Sequence, residues 1–203
     1  MDMKTYLRLI SCLLALVVTS FSVMAQEDVT ATYLTNYGFD SNFNYKSGAT
    51  NEVKQELKTV NGWTSEVTVD YTIMGVYEYG FAGKFNGGTM PASGYNGSKG
   101  GGLVLSTGWG VSFTLCKTVT LPAGIYTVNV PTYNGRSSTK GTSALSWIPE
   151  GGTAVVSDLD SYPASKWTMD QITFTLTKET KGKLRIGYKA ADGGSSNSAI
   201  PIL

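Results

Sequence analysis

The chain has 203 residues, 16 Lys and Arg against 15 Asp and Glu, two cysteines and no histidine. The absence of an imidazole excludes Ser-His and Cys-His hydrolases of the triad type, and with so few thiolates it excludes the usual zinc sites. The near balance of charge, with no basic block, excludes nucleic acid as a partner.

The first 25 residues form a secretory signal peptide. Lys4 and Arg8 precede an apolar run from Leu9 to Val23, and Val23-Met24-Ala25 supplies the small or modest side chains expected before a cleavage site. The run is shorter than the ~20 residues that span a bilayer. Leu9-Ile10-Ser11-Cys12 superficially fits a lipoprotein signal, but most of the apolar run follows Cys12 instead of preceding it. Cleavage after Ala25 removes two of the 16 basic and one of the 15 acidic side chains, so the mature chain carries no net charge. Residues 26–203 suit a single domain, secreted, periplasmic or at the cell surface. Cys116 is then the one remaining thiol, so no internal disulfide forms and Cys116 packs as a small apolar side chain.

In chain order, Val29 to Leu34 reads as a first strand and Asn36 to Asp40 as a turn. Residues 41–62 are polar and mixed, and their pattern does not choose between helix and strand. From Glu66 to Ile73, Val67, Val69, Tyr71 and Ile73 share one face of a strand. Glycines dominate 80–110, which implies long loops with a short strand at Leu103 to Ser106, and Gly100-Gly101-Gly102 reads as linker. Val111 to Thr120 is a strand that runs into a β-hairpin over Lys117 to Thr132. Val119 and Leu121 alternate on the way in and Tyr126, Val128 and Val130 on the way out, with Pro122 and a left-handed Gly124 forming the turn and Pro131 ending the return. Tyr133 to Arg136 is a loop. Two short strands, Ala144 to Ile148 and Thr153 to Val156, flank the turn Pro149-Glu150-Gly151-Gly152. A second hairpin joins Ile172, Phe174 and Leu176 to Leu184, Ile186 and Tyr188 through Lys181-Gly182. The strand spacing and the lack of any apolar helical period predict an all-β antiparallel sandwich.

Four stretches, Asn36-x-Gly38-Phe39-Asp40, Gly62-Trp63, Leu121-Pro122-Ala123-Gly124-x-Tyr126, and Trp167 leading into Ile172 to Leu176, together resemble the galactose-binding-like jelly rolls of secreted carbohydrate-binding modules, in the form common in Bacteroidetes surface and periplasmic proteins. The resemblance implies a jelly-roll fold and noncatalytic binding of an oligosaccharide or polysaccharide. An interaction or adhesion module of the same fold is the alternative, and a carboxylate-dependent glycosidase or lyase a distant third. Such modules end in a long strand with an acidic residue that shares structural calcium with an N-terminal acid. Here the last strand is truncated at Ala199 to Leu203, so Asp40 lacks that partner, no calcium is counted on, and the edge left beside the missing strand is open to self-association.

Sugar sites set aromatic faces against pyranose C–H groups, with a few polar side chains at the hydroxyls. Trp63 and Trp167, just ahead of strong strands, read as core. Trp109, between two glycines, is the leading ligand candidate, with Tyr133 and Tyr95 in neighbouring loops and Arg136 as a hydroxyl donor. Trp147 at a strand end is a further candidate, with capping of the sandwich as its competing role. Asp158-x-Asp160 reads as a solvated turn, and Glu66 and Asp70 as surface charges too far apart on one strand to act as a catalytic pair.

Overall fold

A computed structural model describes residues 26–38, 62–66, 73–85, 88–106, 112–135, 142–189 and 201–202. Residues 1–25, Phe39, Asp40, positions 67–72 of the strand expected from Glu66 to Ile73, Trp109 and Arg136 lie outside the described residues. The stretch read as a first strand is instead a single helical turn, α1 (Thr30–Tyr33).

Two antiparallel sheets carry the fold. The first contains β1 (Thr64–Ser65), β6 (Phe113–Leu121), β12 (Thr180–Lys189), β9 (Ser146–Pro149) and β10 (Val155–Val156) in that spatial order, with β8 (Thr142–Ser143) also paired to β12. The second contains, in order, β11 (Trp167–Leu176), β7 (Gly124–Asn134), β13 (Pro201–Ile202), β5 (Gly101–Ser106) and β2 (Ile73–Glu78). A small ribbon of β3 (Lys84–Phe85) and β4 (Gly88–Thr89) lies in the segment between β2 and β5. Leu115, Leu184, Ile186 and Trp147 from the first sheet and Val76, Leu103, Leu105, Ile172 and Phe174 from the second share one core, which makes the pair of sheets a sandwich. Trp63 also belongs to that core, as its place ahead of a strand predicts.

The alternation of apolar residues identified the long strands correctly but assigned two of their connections to the wrong partners. β6 and β7 do not pair with each other: β6 is bonded to β12 and β1, and β7 to β11 and β13. Pro122-Ala123 is therefore a corner carrying the chain from one sheet to the other, and Gly124 begins β7 without a positive φ. The same holds for β11 and β12, whose connection is Thr177 to Glu179. The two corners stack at one end of the sandwich, with Thr180 opposite Leu121 in one sheet and Leu176 opposite Gly124 in the other. Alternation marks which side of a strand is buried, and a hairpin and an inter-sheet corner bury the same sides.

Lys181 and Gly182, read as a turn, lie inside β12. A Cβ on Gly182 would stand 2.4 Å from Cζ2 of Trp147, so this glycine makes room for the indole that stacks on Phe174 at 5.0 Å between ring centroids. Gly101 and Gly102, read as linker, are paired residues of β5 opposite Glu78 and Tyr77. The expected turn at Pro149 to Gly152 does close a hairpin, with Val155 opposite Trp147 and the Gly152 N–H donating to the Pro149 carbonyl at 3.2 Å. β13 is paired on both sides within its sheet, with Ile202 opposite Val104 of β5 and Pro201 and Ile202 opposite Asn134 and Tyr133 of β7.

Candidate ligand-binding face

On β11, Asp170, Ile172, Phe174 and Leu176 point into the sandwich, so Trp167, Met169, Gln171, Thr173 and Thr175 point outward. β7 runs antiparallel beside it in strict register and contributes its own outward set. The resulting cross-strand pairs are Trp167 with Tyr133, Met169 with Pro131, Gln171 with Asn129, Thr173 with Thr127, and Thr175 with Ile125. The face runs from an aromatic end, through amides and hydroxyls, to Ile125, which is 76% exposed.

The aromatic end rests on a second apolar cluster built on the outside of the same sheet. Tyr77, Phe81, Met90 and Val104 are buried there, and Tyr79, Tyr133 and Trp167 pack against them. The segment from Tyr79 to Gly100 folds over this cluster, tied by the Gly80 N–H to the Pro91 carbonyl at 2.8 Å, the Tyr79 N–H to the Gly100 carbonyl at 3.0 Å, and the Thr89 N–H to the Gly135 carbonyl at 3.0 Å. Within it, the lack of a side chain at Gly94 lets the Tyr79 ring lie against the backbone, since a Cβ there would come within 2.6 Å of that ring.

Three tyrosines surround Trp167. Tyr133 lies tilted at 5.5 Å between centroids, and Tyr95 at 6.1 Å and Tyr79 at 6.2 Å stand edge-on to the indole. These are the spacings that favour aromatic pairs. The indole N–H donates to the Ser93 carbonyl at 3.1 Å, which fixes the ring's orientation and satisfies its single donor. Tyr95, in a short 3₁₀ turn over Tyr95–Gly97, and Tyr133 are thus brought together as ligand candidates, although Tyr133 belongs to β7 and not to a loop, because the strand continues through Pro131.

Next along the face, the Gln171 amide donates to the Asn129 side-chain oxygen at 2.5 Å, and the Thr127 and Thr173 hydroxyls are 3.1 Å apart. The Asn129 NH₂ and the Gln171 carbonyl remain directed to other partners, so each amide offers a donor or an acceptor on an exposed surface.

Two expectations about tryptophan reverse. Trp147 is 1% exposed and stacked on Phe174 in the core, so it presents no face to a ligand. Trp167, expected in the core, is the half-buried centre of the aromatic group on the outer face.

A buried polar lock holds Trp167 in place. Asp170 is 2% exposed and accepts hydrogen bonds from the hydroxyls of Ser143, of Ser157 at 2.5 Å, and of Tyr162 at 2.9 Å. Burial, and then the charge of Asp170, push the Tyr162 hydroxyl well above the ordinary tyrosine pKa, so it stays a donor. The Asn134 side chain donates to the Tyr162 carbonyl at 2.9 Å, and the Asn134 carbonyl accepts from the Ser165 N–H at 2.8 Å. The loop that delivers Trp167 to β11 is therefore pinned on both sides.

On the opposite outer face, Glu66 receives Lys183 at 3.0 Å, Arg185 at 2.8 Å and the Thr114 hydroxyl at 3.0 Å. Burial would raise the Glu66 pKa, but hydrogen bonds from Lys183, Cys116 and Thr114 and the Arg185 charge outweigh it and hold the carboxyl at about 2. Cys116 is buried as expected, but it hydrogen-bonds Glu66 within this charged group instead of serving only as a small apolar side chain, and burial with the neighbouring Glu66 raises its thiol pKa. Among the described residues, no group of three or more His, Cys, Asp or Glu side chains could hold a metal ion, and no helix is long and apolar enough to cross a membrane.

Comparison with known proteins adds no identity: no protein-family description, no curated protein and no solved structure matches this chain.

Proposed function

We propose that this chain is a noncatalytic glycan-binding module, exported by its N-terminal signal peptide, with a jelly-roll sandwich of the galactose-binding-like kind, and that it binds an oligosaccharide along the outer face of β7 and β11. The observation that carries the reading is the grouping of Tyr79, Tyr95 and Tyr133 around Trp167 at the head of a row of exposed amide and hydroxyl side chains. Aromatic surface meets the apolar side of a sugar ring, and Asn129, Gln171, Thr127 and Thr173 meet its hydroxyls. From Trp167 to Thr173 the strand rises about 20 Å, which suits an oligosaccharide better than a single ring. The arrangement needs no cofactor.

Such a shallow, solvated face binds with dissociation constants of roughly micromolar to millimolar, because desolvation and ligand ordering offset most of the contact energy. Titration of the protein with a panel of plant and host oligosaccharides, followed by tryptophan fluorescence and NMR, tests the reading. Shifts at Trp167, Tyr133, Asn129 and Gln171 are expected, with Trp167→Ala weakening binding at least tenfold while the β-sheet spectrum persists. If no sugar moves a β7 or β11 resonance at millimolar concentration, the proposal fails.

A further inference from the structure

No residue of β7 or β11 puts a charged side chain on the outer face. The strands comprise 11 and 10 residues, and the one acid or base among them, Asp170, points inward and is occupied by the Ser143, Ser157 and Tyr162 hydroxyls. The outward cross-strand pairs set amide beside amide at Gln171 and Asn129, and hydroxyl beside hydroxyl at Thr173 and Thr127. The cations nearest along β11 are Lys166 and Lys178, each beyond an end of the strand. Those nearest along β7 are Lys117, in the other sheet, and Arg136, past the strand's end. The first sheet is built the opposite way, for β12 alone presents Lys181, Lys183, Arg185 and Lys189 on its outward phase.

The uncharged row is also narrow. Neighbouring strands stand about 4.8 Å apart and outward residues follow one another about 6.8 Å apart along each, so the pairs from Trp167 to Thr175 form a strip about 27 Å long and two strands wide. Asn129, Thr127, Gln171, Thr173 and Thr175 are exposed along it. A ribbon of equatorially linked sugar rings can follow such a strip, each ring over its own part of the row. A coiled or densely branched glycan meets it only locally.

Resting on the glycan reading above, we infer that the ligand of this face is a neutral, extended chain of equatorially linked sugars, and that the face discriminates against uronic, sialic and sulfated glycans. A sugar hydroxyl both donates and accepts, as the amides and hydroxyls of Asn129, Gln171, Thr127 and Thr173 do, so each can satisfy the other in either sense. A carboxylate only accepts. It would meet the Gln171 carbonyl, whose amide already donates to Asn129, as one acceptor meets another. The aromatic end gives it nothing either, because ring faces carry the negative part of the quadrupole. An acidic sugar would thus lose hydration on this strip without gaining an opposite charge, and that cost sets the selectivity.

Two matched pairs of hexasaccharides test this by NMR titration of the labelled protein: cellohexaose against the hexamer of β-linked glucuronate, and mannohexaose against the hexamer of β-linked mannuronate. Within each pair the linkage and ring stereochemistry agree, and a hydroxymethyl group is exchanged for a carboxylate. At least one neutral member is expected to shift the Asn129, Gln171 and Thr173 signals with a dissociation constant roughly tenfold or more below that of its acidic partner. Added salt should leave that constant unchanged, since no charge pair is there to be screened. Gln171→Lys, which places a cation in the row, should narrow the gap within the pair by about threefold. Equal or tighter binding of a uronate hexamer at these signals overturns the inference and leaves the glycan reading standing. Maltohexaose, neutral but coiled, should bind more weakly than the better neutral ribbon, and equal binding overturns the extended shape. If none of the five moves a β7 or β11 signal at millimolar concentration, the inference is overturned, whereas the glycan reading itself falls only when the wider oligosaccharide panel is silent as well.

Discussion

The two outer faces of the sandwich both follow the rule of polar residues outward, yet they differ in what they leave available. On the face over β6 and β12, Glu66, Lys183, Arg185 and Thr114 satisfy one another, so a ligand there would have to break ion pairs before making contacts. On the face over β7 and β11, the aromatic rings are held edge to face by other rings, and the amides and hydroxyls bond in pairs that leave capacity over. Charge self-neutralised in place stabilises; polar capacity beside immobilised aromatics is what a ligand can use.

The largest effect should come from the group that ties the binding face to the core. Asp170→Ala removes the acceptor of the Ser143, Ser157 and Tyr162 hydroxyls and leaves three donors in or near the interior without it. A loss of about 3 kcal/mol is expected in urea denaturation, from unsatisfied buried groups at roughly 1–3 kcal/mol each after relaxation. Because the same network pins the loop before Trp167, indole fluorescence should also shift before global unfolding. A variant of unchanged stability would show that the network is incidental and that the segment from Tyr79 to Gly100 alone positions Trp167.

The charged face should respond to pH with a smaller amplitude. The Glu66 carboxyl titrates at about 2 in the folded protein against an ordinary 4.5, so its stabilisation is complete above 4.5 and lost as pH falls toward 2. The side chain is 31% exposed, and solvent screening reduces the contribution to about 1 kcal/mol. Glu66→Gln should thus be about 1 kcal/mol less stable at pH 7 and equal to the parent near pH 2, with sugar binding on the other face unaltered. Equal stability at pH 7 would mean that the ion group is fully solvated.

Much of this contrast was legible in the sequence, and what was missed has specific causes. Ile172, Phe174 and Leu176 set the inward phase of β11; counted back, the same phase puts Asp170 inside and Trp167 outside. Both followed from the alternation, but the tryptophan's size and its position ahead of a strand pointed to core. Trp147 offered no such check, since β9 has four residues and its neighbours Ser146 and Ile148 are a mixed pair. Pro131 suggested the end of β7 and made Tyr133 a loop residue, although a proline costs a strand one ladder bond and does not stop it. Tyr95 was legible only as a loop aromatic; its approach to Trp167 depends on the chain from Tyr79 to Gly100 folding over the sheet, a long-range event without local periodicity.

The smallest expected effect tests the connection that keeps the two faces apart. If β6 and β7 formed a hairpin closed by a left-handed Gly124, they would share a sheet, and the charged and aromatic rows would lie on one surface; Gly124→Ala would then cost about 1 kcal/mol or more. In the corner observed, Gly124 has no positive φ, and an added Cβ would meet the Tyr126 ring at 3.3 Å, a contact that a small rotation relieves, although the Tyr126 hydroxyl donates to the Pro122 carbonyl at 3.0 Å and resists it. The strain is offset by the lower entropy of the unfolded alanine chain, about 0.4–1 kcal/mol where the backbone is compatible. Gly124→Ala should therefore change stability by less than about 0.5 kcal/mol in either direction, as read from the urea midpoint. A loss above about 1 kcal/mol would point to a strained turn at this position and place β6 and β7 side by side.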